Sequence, residues 1–273
     1  MTVGSSASGD ARPAVASSWE APERYFTLAR LGQGAYGIVY RVLDMALGVE
    51  VALKVLTPTA GRGVDLYRFK REFRSLRDVV HPNLVRLYEL VLIGEPWFFT
   101  MELVRGVTIR EHLAPAADPS VDHPSQPTLT GGTRPGRRAT APSDLDRTRD
   151  AFYQLADAVA AIHATGKIHR DLKPSNVLVD ERGRVVVLDF GLISDDAHEP
   201  SADRTHEASA VGTPGYMSPE QVLDEPLSAA TDWYSVGVML YEALTGARPF
   251  AGSRAEMMRR RTLESPPPPR ALV

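Results

Sequence analysis

The chain has 273 residues, 43% hydrophobic and 24% charged, with a formal net charge of −3. That length can bury a real core in one large or two small domains, and the weak negative charge speaks against a general binder of nucleic acid or anionic membranes. Cysteine is absent, which excludes disulfide frameworks and thiolate chemistry. No apolar run approaches the roughly 18 residues that a membrane span needs. The leading MTVGSSASGDARPAVASS has neither the basic head nor the apolar centre of a secretory signal, so a cytoplasmic protein is expected.

Residues 1–22 are rich in Ser, Ala and Gly without periodicity and are expected to form a disordered lead. Ordered structure is expected from near Tyr25. YFTLARLGQGAYGIVYRVL and VEVALKVL hold β-branched and aromatic residues in partial alternation, broken by Gly, and predict strands. DLYRFKREFRSL places Leu66, Phe69, Phe73 and Leu76 at helical spacing. HPNLVRLYELVL and PWFFTMELV return to strand-like patterns. Residues 114–144 hold six prolines and almost no large apolar residue, the composition of a flexible insertion. A helix is predicted to resume at Ser143 as N-cap with Asp146 three residues on. Its apolar face carries Leu145, Phe152, Leu155, Val159 and Ile162. DWYSVGVMLYEALTG is apolar nearly all round and predicts a buried helix. The first hundred residues are thus mainly strand with one helix, the second half is mainly helical, and no repeat is visible.

Gly32, Gly34 and Gly37 in LGQGAYGIVY have G-x-G-x-x-G spacing, with Gln33 between the first two. Alone this is a weak signal. A dinucleotide-binding fold uses the same spacing but opens a helix at the last Gly, whereas IVYRV reads as strand. A hairpin whose backbone amides approach phosphates is expected instead. VALK then sets Lys54 on a strand beside that hairpin, where an ammonium can hold phosphates as a point charge. Glu72, on the one helix of this half, is a candidate partner for it. The chain has four lysines against twenty-seven arginines, and one of the four is Lys173 in IHRDLKPSNVLV. There it follows Asp171 and precedes Asn176. VVVLDFGL ends an apolar strand on Asp189, a costly place for a carboxylate that has no cation. Asn176 and Asp189 offer hard oxygen ligands suited to Mg²⁺ on nucleotide phosphates. Asp171 can accept a hydroxyl proton, and Lys173 offers positive charge near a transferring phosphoryl group.

Together LGQGAYGIV, VALK, the helix glutamate, HRDLKPSN, DFG, GTPGYMSPE and DWYSVG resemble, in order and approximate spacing, the eukaryotic-like (Hanks-type) serine/threonine protein kinases over roughly residues 25–260. The resemblance implies an α+β bilobal fold. A small, mainly antiparallel β N-lobe with one helix would span 23–104, and a larger, mainly α C-lobe 105–273, interrupted by the insertion. It implies that Leu31, Val39 and Ala52 roof an adenine, with Leu178 as floor and Met101 as gatekeeper. The backbones of Glu102 and Val104 would bind the adenine edge, and Gly32, Gln33, Gly34 and Gly37 would cover the phosphates. Lys54 would touch the α- and β-phosphates and pair with Glu72. Asp171 would be the catalytic base with Lys173 beside it, and Asn176 and Asp189 would hold the metal. Leu76, Leu87, His169 and Phe190 would stack into a spine anchored near Asp232, making His169 a packed core residue.

The implied cofactors are ATP and Mg²⁺, with Mn²⁺ as an alternative. The implied partners are protein substrates with Ser or Thr acceptors. Lys173 and Thr213 both agree with that acceptor class. Thr205 or Ser209 is a candidate activating phosphosite for Arg170, and acidic residues of the same loop are the alternative. Thr140 follows two arginines, as in a basophilic kinase site, although a solvated basic linker explains the same residues. After SPPPPRALV the family would continue with further helices and an arginine for Glu220. An incomplete C-lobe, further domains beyond it and an unpaired Glu220 are therefore expected. The Arg- and Ala-rich composition suggests a bacterial source. An inactive nucleotide-binding scaffold is the alternative function, and a dinucleotide-dependent oxidoreductase is a third.

Overall fold

The computed structural model describes residues 21–34, 37–56, 66–92, 96–114, 142–188 and 214–272, with backbone alone at 66–68, 72 and 142–144. Strands β1 (Tyr25–Gly34), β2 (Gly37–Asp44) and β3 (Val49–Leu56) follow one another as antiparallel neighbours. Strands β4 (Leu87–Val91) and β5 (Phe98–Met101) complete a five-stranded sheet of order β1-β2-β3-β5-β4. Period-two alternation divides β3 between two cores. Val51, Leu53 and Val55 join Tyr25, Tyr40, Val42 and Phe98 on one face. Ala52 and Leu56 join Phe99 and Met101 on the other, where helix α1 (Leu66–Arg77) packs Phe69, Phe73 and Leu76. The burial of those three residues matches the helical spacing read from the sequence.

Gly37 opens β2 at φ +147, and a Cβ there would lie 1.9 Å from the Val55 carbonyl oxygen. Only glycine lets the two strands approach this closely. Gly32 and Gly34, by contrast, would meet nothing within 4 Å. A strand therefore follows Gly37, and the helix that a dinucleotide-binding fold requires is not there.

Two segments tie this sheet to the rest of the molecule. The connector 78–86 docks on strand β8 (Val185–Val187). The Val85 amide donates to the Val187 carbonyl at 3.0 Å, and the Val187 amide to the Asn83 carbonyl at 2.9 Å. Asn83 Nδ2 donates to Val185 O at 2.7 Å and to Gln154 Oε1 at 2.8 Å. Residues 102–105 form the second segment, leading to β6 (Gly106–Thr108). With β7 (Val177–Asp180) and β8 this strand forms a three-stranded antiparallel sheet.

The remaining described elements are helical. Helix α2 (Ile109–His112) opens on a capping box of Thr108 and Glu111. Helix α3 spans Pro142–Ala164, so Ser143 is its second residue and not the N-cap that the sequence predicted. Proline's fixed φ and missing N–H suit a first helical position, and this moves the start upstream. It also takes the last three residues of the expected insertion into the helix. Phe152, Leu155, Val159 and Ile162 are buried as expected, while Leu145 stays exposed at 50%. Helices α4 (Pro219–Leu223), α5 (Ala229–Thr245) and α6 (Arg254–Leu263) follow. Ser218 and Ser228 cap the first two, and α5 ends on Gly246 in the left-handed conformation. One apolar cluster runs from Ala52 and Phe73 through Leu84 and Leu155 to Val236 and Met239, so both halves share a core. Among the described residues no helix is long and apolar enough to cross a membrane.

Candidate active site

Asp232, in the first turn of α5, grips the segment 168–176. Asp232 is fully buried. Its Oδ2 accepts from the His169 amide at 2.7 Å, and its Oδ1 from the Arg170 amide at 2.8 Å. His163, near the end of α3, places Nε2 2.8 Å from the same Oδ2. Arg170 sits at φ 69, a strained conformation for a side chain of its size. The paired amide bonds hold it there, and Gln221 of α4 donates to the Arg170 carbonyl at 2.7 Å.

His169 is fully buried, with Nε2 2.8 Å from the Leu188 carbonyl and Nδ1 accepting from the Asp171 amide at 3.3 Å. Both ring nitrogens are engaged within the core, which is the packed role expected of it and leaves none for a metal. Leu76 and Leu87 are buried in the same apolar cluster, while Phe190 lies outside the described residues.

The strained turn delivers Asp171 to a point where its carboxylate has two partners. Lys173 Nζ approaches Oδ2 at 2.7 Å, and Asn176 Nδ2 approaches it at 3.1 Å. Asn176 Nδ2 also donates to the Asp171 carbonyl at 2.8 Å. The amide nitrogen is thus committed, and the 3₁₀ turn Pro174–Asn176 orients it. No bond among the described residues engages Asn176 Oδ1, a hard oxygen of the kind that Mg²⁺ takes. The Leu188 amide donates to the Asn176 carbonyl at 2.8 Å, bringing the residue before Asp189 against Asn176. Asp189 itself lies outside the described residues, as do Thr140, Ser194, Ser201, Thr205, Ser209 and Thr213.

Strand register pairs Val39 with Lys54, and Ala52 with Met101. Val39, Ala52, Lys54 and Met101 therefore share a face. Lys54 is buried at 6%. Glu72 lies in α1, with its side chain outside the described set. Leu31 is exposed at 51% near the tip of the β1–β2 hairpin, and Gln33 accepts a hydrogen bond from Arg30. Leu178 of β7 pairs with Thr108 and Val186 across the second sheet. The Glu102 amide donates to the Arg86 carbonyl at 2.8 Å, and Val104 is half-buried. A buried lysine on the five-stranded sheet and an Asp–Lys–Asn cluster on 171–176 are groups that suit the binding and transfer of a phosphoryl group.

Residues 25–266 match the protein kinase domain family. The chain belongs to that family. This kinase-family chain is 36% identical over 91% of its length to the DNA damage-responsive serine/threonine-protein kinase RqkA of Deinococcus radiodurans. It is 34% identical over 85% of its length to the serine/threonine-protein kinase PkaA of Streptomyces coelicolor. It is 35% identical over 85% of its length to the serine/threonine-protein kinase PknL of Mycobacterium tuberculosis. These matches cover 34%, 40% and 52% of the relatives, so the chain spans about a third to a half of their length. All three are bacterial proteins, and the expected bilobal α+β fold is the one observed.

Three kinase-domain features were not read from the sequence. His163, Gln221 and Arg184 each bond a partner at least 50 residues away, and no local pattern announces such pairs. A fourth is a correction. Glu220 was expected to lack a partner, yet Thr231 Oγ1 donates to its Oε1 at 2.7 Å. Burial alone would raise this carboxyl. The Thr231 hydroxyl, the Glu220 backbone amide and Ser218 together outweigh burial and hold the group below the usual carboxylate range.

Proposed function

We propose that this kinase domain transfers the γ-phosphoryl group of ATP to a serine or threonine hydroxyl of a protein. The observation that carries the reading is the Asp171 carboxylate, held between Lys173 and Asn176 on a turn that Asp232 clamps. In this reading one Asp171 oxygen accepts the acceptor hydroxyl proton. The hydroxyl oxygen bonds to the γ-phosphorus, the bond to the β–γ bridging oxygen breaks, and ADP leaves. Lys173 offsets negative charge on the transferring oxygens, and Lys54 holds the α- and β-phosphates with Glu72 as its partner. Leu31, Val39, Ala52, Met101 and Leu178 enclose the adenine, while the Glu102 and Val104 backbones bond its edge. Gly32, Gln33, Gly34 and Gly37 cover the phosphates.

Asn176 Oδ1 and Asp189 would hold the divalent cation, for which Mg²⁺ fits the all-oxygen donor set. When bound, that cation offsets charge on the nucleotide phosphates. Catalysis by the chain's own residues is then mostly positioning and electrostatics. An ATP-dependent enzyme of this kind acts where ATP is abundant, so we place it in the cytoplasm. A regulatory phosphate at Thr205 or Ser209 that pairs with Arg170 belongs to the same proposal.

Asp171→Asn tests the reading. Phosphate incorporation from radiolabelled ATP should fall about a thousandfold or more, while ATP·Mg²⁺ should still raise the melting temperature. Equal incorporation in parent and variant would remove Asp171 from the mechanism. ATP-induced stabilisation with no incorporation in the parent would favour a nucleotide-binding scaffold.

A further inference from the structure

We infer that Arg184 is a positioning residue for nucleotide binding, a strut that ties the inter-lobe segment 102–105 and the docked α1–β4 connector to the β7–β8 turn. The inference rests on the proposed contact of the adenine with residues 102–104.

Arg184 sits just before β8, and its guanidinium reaches three acceptors from three parts of the chain. One nitrogen bonds Glu102 Oε1, at the first residue after β5. A second donates to the Pro82 carbonyl at 3.3 Å, in the connector between α1 and β4. Nε donates to Asp180 Oδ2 at 3.3 Å, at the end of β7. The chain passes between the lobes through 102–105 and docks on the second sheet through 78–86. One guanidinium therefore touches the inter-lobe segment and the docked connector at once. Glu102 is held from its other side too, since its Oε2 accepts from the Arg86 amide at 3.3 Å.

The simpler view makes Arg184 a turn residue that closes β7 onto β8. That turn is already closed without its side chain. Asp180 Oδ1 accepts the Arg182 and Arg184 amides at 2.9 and 3.0 Å. The Asp180 amide donates to the Arg184 carbonyl and the Gly183 amide to the Asp180 carbonyl, both at 3.0 Å. Two of the three guanidinium bonds, to Pro82 and Glu102, act outside the turn. Its planar fork suits several carboxylate and carbonyl oxygens at fixed angles, which a lysine could not match. A half-exposed ion pair contributes little to global stability. Fixing the angle of a binding segment is a different effect, because it removes an ordering cost from each binding event.

The test uses the whole 273-residue chain and titration calorimetry with ATP·Mg²⁺ and, separately, adenosine, which has no phosphates. The chains compared are the parent, Arg184→Met, Glu102→Gln, the double variant and Arg184→Lys, with a melting curve for each to show that it is folded. Either single change should weaken both ligands about fivefold. The double variant should bind no worse than the weaker single, because both changes remove one contact. Arg184→Lys should recover part of the loss. In turnover, KM for ATP should rise while KM for casein as acceptor stays unchanged. Binding by Arg184→Met within twofold of the parent, or losses that multiply in the double variant, would overturn the strut alone. A parent that binds neither ligand would overturn the kinase reading, and the strut with it.

Discussion

Asp232 shows how much of this site depends on one buried carboxylate. It carries the His169 and Arg170 amides and stands 2.8 Å from His163 Nε2, all within a fully buried position. Arg170 at φ 69 is the conformation that most needs such support. Asp232→Ala leaves these donors without an acceptor in the core. We expect about 3–5 kcal/mol of destabilisation, typical of a buried charge network that loses one partner. Turnover should fall further than folding alone explains, because the Asp171 backbone is released. Urea denaturation and steady-state assays below the midpoint separate the two effects.

At the level of elements, the β1–β3 meander is clamped at its open end by Asp44. Arg24 Nε and Nη2 bond both Asp44 oxygens at 2.9 and 2.7 Å, and the Ala46 amide donates to Oδ1 at 3.0 Å. The Arg24 bond is the main reason that the Asp44 carboxyl lies below the usual range; it prevails over burial, with the Ala46 amide aiding it. A depressed folded pKa gives stability that is present above the unfolded value and lost as pH falls through the folded one. Asp44→Asn should therefore melt lower than the parent near neutrality. The gap should close in acid, below the ordinary aspartate value. Melting curves of both chains across that range check the sign, and a gap independent of pH would remove the ion pair from the explanation.

At the scale of the whole molecule, the shared core implies one cooperative unit. The same apolar cluster contains Phe73 and Phe99 of the first lobe and Leu155 and Val236 of the second. Asn83, Gln154 and Arg184 add polar ties at the same junction. The tryptophans are Trp19, Trp97 and Trp233, and the last two stand one in each lobe. Chains that keep only Trp97 or only Trp233 should report the same urea midpoint, as two-state unfolding requires. Separated midpoints would mean that the lobes unfold independently.

The strands of the first lobe with helix α1, the helices α3 and α5, the Gly-rich hairpin and the Asp171–Lys173–Asn176 cluster were legible in the chain itself, whereas β6, β7, α2, α4 and α6 were not. The legible signals are local: a period of two, a period of 3.6, and residue types within a few positions of one another. The start of α3 was missed because a proline before Ser143 competes with the capping signal, and Leu145 was misplaced because that first turn lies beyond the core. The bond from Thr231 to Glu220 was not foreseen, since that hydroxyl stands on the next helix. Asp232's hold on Arg170 and Arg184's hold on Glu102 span 62 and 82 residues. Local chemistry therefore set which groups can react, and packing between distant segments decided how they are held, because a single hydrogen bond carries no trace of its partner in the sequence around it.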